Sequence, residues 1–231
     1  MNRVGVIILA RYSSKRLPGK ALLEIEGKPI LKYILERVLK VVDRDDVIIA
    51  TSTEQDDDSI YNFAEKERVD CYRGSLTNVS RRFYEAGESK GFDYALRING
   101  DNIFVDIPLL KKVAELARSD DYKFISNVHG RTYPKGMSVE AVELSFYKEC
   151  LQKIEKDERY IEHVTLYLYE QLTYENFYFL YNKDLPEAGG VQFALDTQDD
   201  LDRTRKIISN FEKVHTSYNL KEIYNISINL K

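Results

Sequence analysis

The chemistry that this chain could perform is concentrated first in a basic segment near its N-terminus. Within ten residues, this segment contains four cations, two serines and a glycine, namely Arg11, Ser13, Ser14, Lys15, Arg16, Gly19 and Lys20. Backbone N–H groups and Arg or Lys side chains in such a loop can share the charge of a polyphosphate. The spacing is neither that of a Walker A loop nor that of a dinucleotide-binding glycine motif. Charge alone leaves a solvated surface loop as an equally good interpretation.

Two aspartates follow apolar segments further along the chain. Asp101 comes after residues 94–98 and Gly100, and Asp196 comes directly after residues 191–195. If these segments are parallel strands, both carboxylates project towards the edge of the sheet where ligands bind. The alternative is a local structural role, in which Asp101 caps a helix or forms a turn and Asp196 caps the helix that Thr197 opens.

The elements that must position these side chains are indicated by an alternation of short apolar and amphipathic segments. Residues 4–10 and 47–50 are apolar on both faces, which is typical of parallel strands covered by helices. Further strand-like segments are residues 69–72, 94–98, 122–126 and 191–195. Helices are predicted between them, with Asp106 as the N-cap of residues 107–118 and with capping-box starts at Thr197 and Asn219. The alternation predicts an α/β fold with a doubly wound, mostly parallel sheet.

Residues 129–182 interrupt the alternation. They predict a strand over 137–142 and helices over 145–154 and 161–171, and they are rich in tyrosine: Tyr147, Tyr160, Tyr167, Tyr169, Tyr174, Tyr178 and Tyr181. We interpret 129–182 as an inserted segment within one domain of residues 1–231. Tyrosines at this density suit a protein interface, and a simple core suits them equally well.

Composition restricts the partners. The 231 residues include 34 Lys and Arg against 38 Asp and Glu, a net charge of −4, which argues against broad nucleic-acid binding. Cys71 and Cys150 form neither a disulfide framework nor a metal motif, so a reducing compartment is expected. The apolar start over residues 4–10 is too short for a signal peptide or a spanning helix. We expect a soluble, cytoplasmic protein without membrane insertion.

The order of residues in several motifs resembles the cytidylyltransferases that make CMP-activated sugars. Within that family the chain is most similar to the spore-coat polysaccharide biosynthesis type, a relative of the CMP-N-acetylneuraminate and CMP-Kdo synthetases. The matching stretches, in chain order, are Arg-x-x-Ser-x-Arg-Leu-Pro-Gly-Lys at 11–20, the strand 47–52, the Arg-Gly-Ser turn 73–75, Arg-Ile-x-Gly-Asp at 97–101, residues 131–136 with Glu140, residues 162–165 and Leu-Asp-Thr at 195–197.

This resemblance implies a nucleotide-diphospho-sugar transferase-like fold that transfers CMP from CTP to a sugar or sugar acid, with release of pyrophosphate. It implies catalytic roles for Arg11, Lys20 and Asp101, and Mg²⁺ ligation by Asp101 and Asp196. Hard carboxylate oxygens of this kind suit Mg²⁺. Arg16 is a further candidate for phosphate contact, with a salt-bridged scaffold role as its alternative.

The resemblance also divides the remaining candidate residues between two pockets. The nucleotide-binding residues implied are Leu9, Ala10, Arg11, Lys20, Ala50, Ser52, Arg73, Ser75 and Asn99. The acceptor-binding residues implied are Lys135, Glu140, Glu162 and His163, with a structural role as the alternative for His163. His129 and His215 are interpreted as surface residues. Because relatives pair through the inserted segment, a homodimer through 129–182 is expected.

Two other functions are compatible with the same scaffold. One is a sugar-1-phosphate nucleotidyltransferase or a nucleotide-sugar glycosyltransferase, although glycosyltransferases typically use Asp-x-Asp and Ile103 stands two residues after Asp101. The other is a non-catalytic family member that serves as a partner or scaffold.

Overall fold

The computed structural model describes residues 2–14, 16–171 and 176–230, so Lys15 and Tyr174 lie outside the described residues. The strands are β1 Val4–Leu9, β2 Glu24–Ile25, β3 Lys28–Pro29, β4 Val47–Ser52, β5 Asp70–Gly74, β6 Tyr94–Asn99, β7 Phe124–Ser126, β8 Glu140–Glu143 and β9 Phe177–Phe179. The helices are α1 Ile30–Val38, α2 Asp58–Glu67, α3 Val79–Lys90, α4 Ile107–Ser119, α5 Leu144–Ile154, α6 Glu158–Glu162, α7 Leu166–Glu170, α8 Gln198–Ser209 and α9 Leu220–Asn229.

In the described part of the chain, seven strands form one mixed sheet in the order β5-β4-β1-β6-β8-β7-β9. The first four are parallel to one another, and β8 runs antiparallel to both of its neighbours. The central strand β1 is buried along its whole length because its side chains are apolar on both faces. Two hydrophobic cores lie on the two faces of the sheet. Helices α1, α4, α8 and α9 contribute to the first, and α3, α5 and α7 contribute to the second. The predicted doubly wound, mostly parallel sheet is therefore confirmed.

The segment 129–182 contributes to this sheet directly. Its strand β8 lies between β6 and β7, and its strand β9 forms an edge of the sheet beside β7. The sequence pattern predicted β8 but not β9. No helix among the described residues is long and apolar enough to cross a membrane.

Two of the predicted elements are wrong. The helix predicted over 161–171 is two short helices, α6 and α7, because the Val164 carbonyl accepts from Tyr147 Oη at 2.7 Å instead of continuing a helix. The strand predicted over 191–195 forms only one isolated bridge, between Lys135 and Gln192, because no further strand runs beside it in the described residues.

A buried arginine on α1 binds both the loop before α4 and the segment between α8 and α9. Arg37 on α1 is fully buried and donates to the carbonyl oxygens of Val105, His215 and Tyr218 at 2.7, 2.5 and 2.6 Å. His215 is itself buried, so its interpretation as a surface residue was wrong. Its Nε2 lies 2.6 Å from Glu36 Oε2, and its ring packs against Tyr33.

We expect the free energy of unfolding to fall as the pH is lowered through the range just below about 6.5. Burial lowers the pKa of His215 and outweighs the opposing hydrogen bond to Glu36. The unfolded chain then binds a proton more readily than the folded chain, so acid favours unfolding. Urea unfolding at several pH values should show this loss, and His215→Gln should reduce it. An equally steep pH dependence in the variant would contradict the assignment.

Candidate active site

A cavity of about 440 Å³ opens where β1 and β6 end. Parallel strands present their carboxyl ends at the same edge of a sheet, so the loops that follow β1 and β6 meet there. The walls consist of these two loops, the start of α3 and the end of α6, and the lining residues are Leu9, Ala10, Arg11, Ser14, Arg16, Lys20, Ala21, Val79, Arg82, Arg97, Asn99, Gly100, Asp101, Glu162, His163 and Asp196.

The basic loop after β1 is folded back on itself by backbone hydrogen bonds. The Tyr12 carbonyl accepts from the N–H groups of Ser14 and Gly19 at 2.8 and 2.9 Å. Gly19 has a φ of 68°, a conformation that favours glycine, and it lies against the Tyr12 ring. The loop is anchored to β4 through Asp57, which is buried and accepts from the N–H groups of Tyr12 and Ser52 at 2.5 and 2.9 Å. These contacts fix where the loop cations lie.

Lys20 joins the three parts of the chain that carry the candidate catalytic groups. Its Nζ lies 2.8 Å from Asp101 Oδ2 and 3.3 Å from Asp196 Oδ1, and it donates to the Leu195 carbonyl at 2.8 Å. Arg16 also contacts Asp196, at 3.2 Å, and remains largely exposed. The basic loop and the carboxylates after the two apolar segments therefore face each other across one cavity.

Close backbone contact explains the glycine before Asp101. The Gly100 N–H donates to the Leu9 carbonyl at 2.8 Å, and a Cβ at Gly100 would lie 3.0 Å from both that oxygen and the Ala10 Cβ. Glycine lets the loop after β6 approach the end of β1 closely. As a result, Asp101 is held beside Lys20.

Neither aspartate is used as a helix cap. Thr197 caps α8 in a capping box with Asp200, and Asp106 caps α4 by accepting from the Leu109 N–H at 3.1 Å. The Asp200 carboxylate also accepts from the backbone N–H of Asp196 at 3.2 Å. The side chains of Asp101 and Asp196 are thus directed to Lys20 rather than to helix termini.

The carboxylates of Asp101 and Asp196 are suited to a divalent cation whose other coordination positions are filled by oxygen atoms of a substrate or of water. Asp101 Oδ1 is buried and has no hydrogen-bond partner among the described residues. The described residues contain no group of three or more His, Cys, Asp or Glu side chains that could hold a metal ion by themselves. Mg²⁺ is commonly held by one or two carboxylates together with substrate phosphates and water, and the side chains of Asp101 and Asp196 are compatible with such a site.

The cavity brings together many, but not all, of the residues predicted for the site. Those that line it are Leu9, Ala10, Arg11, Lys20, Asn99, Asp101, Glu162, His163 and Asp196. Arg11 approaches Glu162 at 3.4 Å, so α6 contacts the basic loop.

Six predicted residues lie outside the cavity lining: Ala50, Ser52, Arg73, Ser75, Lys135 and Glu140. Ala50 and Ser52 are buried, and their backbone groups already bond to Ala10 and Asp57. Arg73 is occupied by the Ser52 and Glu54 carbonyls at 3.0 and 2.9 Å and by Asp58 at 2.7 Å.

The other three have structural contacts of their own. Ser75 Oγ accepts from the Asn78 N–H at 3.0 Å, and the exposed Lys135 pairs through its backbone with Val191 and Phe193. Glu140 is buried and is bound by Arg97, Thr165 and Tyr169. In the structure these residues make the contacts given above and do not line the cavity.

Sequence reasoning missed two arginines that line the cavity, Arg82 and Arg97. Each has a buried Nε without a partner among the described residues. Arg97 begins the matched motif at 97–101 and could have been selected from it, whereas Arg82 lies on α3 with no local signal. Together with Arg11, Arg16 and Lys20 they outnumber the carboxylates that line the cavity. The site is therefore suited to a polyanion.

Fold and site are compatible with a nucleotidyltransferase, and comparisons with known proteins give the class and the family. The family model described as Cytidylyltransferase matches residues 5–226. The spore coat polysaccharide biosynthesis protein SpsF of Bacillus subtilis is 30% identical over 213 residues, covering 90% of this chain and 87% of SpsF.

Solved structures agree. A cytidylyltransferase from Leptospira borgpetersenii is 25% identical with a TM-score of 0.88, covering 100% of this chain and 99% of that one. A CMP:2-keto-3-deoxy-manno-octonic acid synthetase complexed with CTP shares the fold, at 17% identity and a TM-score of 0.64, covering 90% and 98%. The chain belongs to the cytidylyltransferase family and is a nucleotidyltransferase.

Proposed function

We propose that this chain transfers CMP from CTP to a sugar or sugar-acid acceptor, with Mg²⁺, in the synthesis of a surface polysaccharide. The observation that carries the proposal is the contact of Lys20 with Asp101 and Asp196 at one end of a cavity rich in arginine. The spore-coat role in the SpsF name supports the polysaccharide context.

The reaction forms a bond between an acceptor oxygen and the α-phosphorus of CTP, breaks the bond from that phosphorus to the bridging oxygen, and releases pyrophosphate and the acceptor's proton. Lys20, Arg11 and Arg16 line the cavity, and in this proposal they neutralise the phosphates, which lowers the barrier to attack by an electron-rich oxygen. Asp101 and Asp196 would hold Mg²⁺, which when bound supplies further charge neutralisation on the phosphate oxygens. Glu162 and His163 at the end of α6 are the candidates for acceptor contact within the cavity.

The proposal is tested by measuring pyrophosphate release from CTP over a panel of acceptors that includes 2-keto sugar acids, other sugar acids and neutral sugars. Release that requires CTP, Mg²⁺ and one acceptor class supports it. Release from UTP or dTTP with a sugar 1-phosphate would instead assign a sugar-1-phosphate nucleotidyltransferase. No pyrophosphate under any combination would favour a non-catalytic family member.

We also propose a homodimer that forms through residues 129–182. Strand β9 is an edge of the sheet, and Tyr178 and Tyr181 of this segment are 36% and 43% exposed. Among the described residues β9 pairs on one side only, and exposed aromatic side chains beside such an edge suit association with a second copy. Light scattering at micromolar concentration should give twice the chain mass, and a monomer would contradict the proposal. Tyr178→Lys should shift the equilibrium to the monomer.

A further inference from the structure

A buried carboxylate contacts the basic loop from outside the cavity. Asp57 is the last residue of the short turn before α2, is 1% exposed and is not among the residues that line the cavity. Its Oδ1 accepts from the Tyr12 N–H at 2.5 Å, and its Oδ2 accepts from both the N–H, at 2.9 Å, and the hydroxyl of Ser52. Among the described residues, no lysine, arginine or histidine forms an ion pair with it.

The three hydrogen bonds of Asp57 join two loops that are far apart in sequence. Burial of a charge without a paired cation is costly unless hydrogen bonds satisfy its oxygens, and each oxygen of Asp57 has a donor. A carboxylate has two acceptor oxygens and no donor, so it can hold N–H groups from both loops at once, whereas an amide would direct a donor at one of them. The geometry therefore favours a carboxylate at position 57 over the isosteric amide.

The Tyr12 peptide transmits this contact to both ends of the basic loop. Its N–H is held by Asp57, and its carbonyl accepts from the Gly19 N–H at 2.9 Å. A Cβ at Gly19 would lie 2.9 Å from the Tyr12 ring, so the two segments of the loop are in direct contact. Arg11 directly precedes Tyr12, and Lys20 directly follows Gly19. A displacement of the Tyr12 peptide would therefore move both cations.

The other loop that Asp57 holds belongs to a well-packed part of the molecule. Ser52 is the last residue of β4, which is buried along its whole length and lies between β5 and β1 in the sheet. The Ala10 N–H also donates to the Ala50 carbonyl at 3.2 Å, so the end of β1 is bound to β4 as well. Asp57 thus fastens the basic loop to the sheet, and cations that are fixed in advance lose less conformational entropy when an anion binds.

We propose that Asp57 is a positioning residue for the triphosphate. Through Tyr12 and Gly19 it holds the Arg11 and Lys20 side chains at the cavity before the phosphates arrive. Asp57 acts through these residues and touches no reacting atom. The inference rests on the proposed function, because it takes the phosphates of CTP to be the ligand of the loop. It adds to that function a determinant of phosphate affinity that lies outside the cavity lining.

Titration calorimetry with inorganic tripolyphosphate and Mg²⁺ tests the inference without a nucleoside. Asp57→Asn keeps the shape of the side chain but directs an amide N–H at one of the donors. It should bind tripolyphosphate about 10-fold more weakly than the wild type, because binding must then also order two long side chains. Asp56→Asn is the matched control, since Asp56 is exposed, and it should bind as the wild type does. Equal affinities of Asp57→Asn and the wild type would overturn the inference.

A double-mutant cycle with Lys20→Met distinguishes positioning from a general loss of stability. If Asp57 acts through the loop cations, Asp57→Asn should weaken tripolyphosphate binding by a smaller factor in the Lys20→Met protein than in the wild type. The same factor in both proteins would overturn the inference. Thermal unfolding of each variant reports whether it is folded.

Hydrogen exchange of the wild-type protein tests the inference without any substitution. The Tyr12 and Gly19 amides should already be protected in the ligand-free protein, because both are held before the phosphates bind. Protection that appears only after tripolyphosphate is added would overturn the inference. A wild-type protein that binds tripolyphosphate but not CTP would leave the inference standing and contradict the proposed function, and one that binds neither would contradict both.

Discussion

Asp101→Asn should lower kcat/KM for CTP by about 100- to 1,000-fold while the protein remains folded. The substitution replaces a charged oxygen with a neutral amide beside Lys20, at the carboxylate whose Oδ1 lacks a partner among the described residues. Folding should survive because Lys20 keeps its contacts with the Leu195 carbonyl and Asp196. The concentration of Mg²⁺ needed for half-maximal turnover should rise.

Asp199→Asn is a suitable control for this experiment. Asp199 lies on the first turn of α8 close to Asp196 in sequence, but it is exposed and does not line the cavity. It tests whether loss of one negative charge in this region is enough to slow turnover. Unchanged turnover and Mg²⁺ dependence in Asp101→Asn would remove Asp101 from the proposed metal site.

Lys20→Met should lower kcat/KM by about 100-fold, the loss typical when one charge-stabilising contact to the transition state is removed. The methionine retains the length of the apolar stem and removes the ammonium. It also leaves Asp101 and Asp196 without their shared cation. We therefore expect Mg²⁺ alone to raise the melting temperature of Lys20→Met more than that of the wild type, because the ion no longer competes with the ammonium.

Lys221→Met is the control, since Lys221 is exposed on α9 and does not line the cavity. Lys20 has two proposed effects, contact with the phosphates and competition with Mg²⁺ for the carboxylates. Melting temperatures with and without Mg²⁺ report on the competition, and turnover reports on the phosphate contact. A smaller Mg²⁺ shift in Lys20→Met would contradict the idea that the lysine and the ion compete for the same carboxylates. Full activity would contradict the phosphate contact.

Several charged side chains of the site pair with one another, and a bound substrate would have to replace these contacts. Lys20 is held by two aspartates, and Arg11 approaches Glu162. Phosphate oxygens can replace the carboxylates as partners of the cationic side chains, and Mg²⁺ can replace the cationic side chains as the partner of the carboxylates. If only one of the two ligands binds, the side chains that it displaces are left without a partner of opposite charge. This reasoning supports joint binding of nucleotide and metal.

The local sequence was sufficient to predict many of the strands and helix caps that position the site. The apolar pattern of residues 4–10 and 94–98 predicts buried strands, and in a parallel sheet the loops that follow them meet at one edge. The cap at Asp106 and the capping boxes at Thr197 and Asn219 are short-range hydrogen bonds between residues three apart, so they too could be predicted. The motif at 97–101 located Asp101 beside the basic loop.

Only the tertiary structure decided which of the candidate groups face the cavity. Arg73 and Arg82 are indistinguishable as residue types, but the first is bound by Ser52, Glu54 and Asp58, while the second lies on the cavity wall. Likewise Glu140 is bound by Arg97 from another strand, by Thr165 and by Tyr169 of α7. Alternation and capping depend on neighbours along the chain, so the sequence by itself determines them. The partner of a charged side chain depends on residues brought together from distant positions, so only the folded chain determines which donors and carboxylates remain available to a ligand.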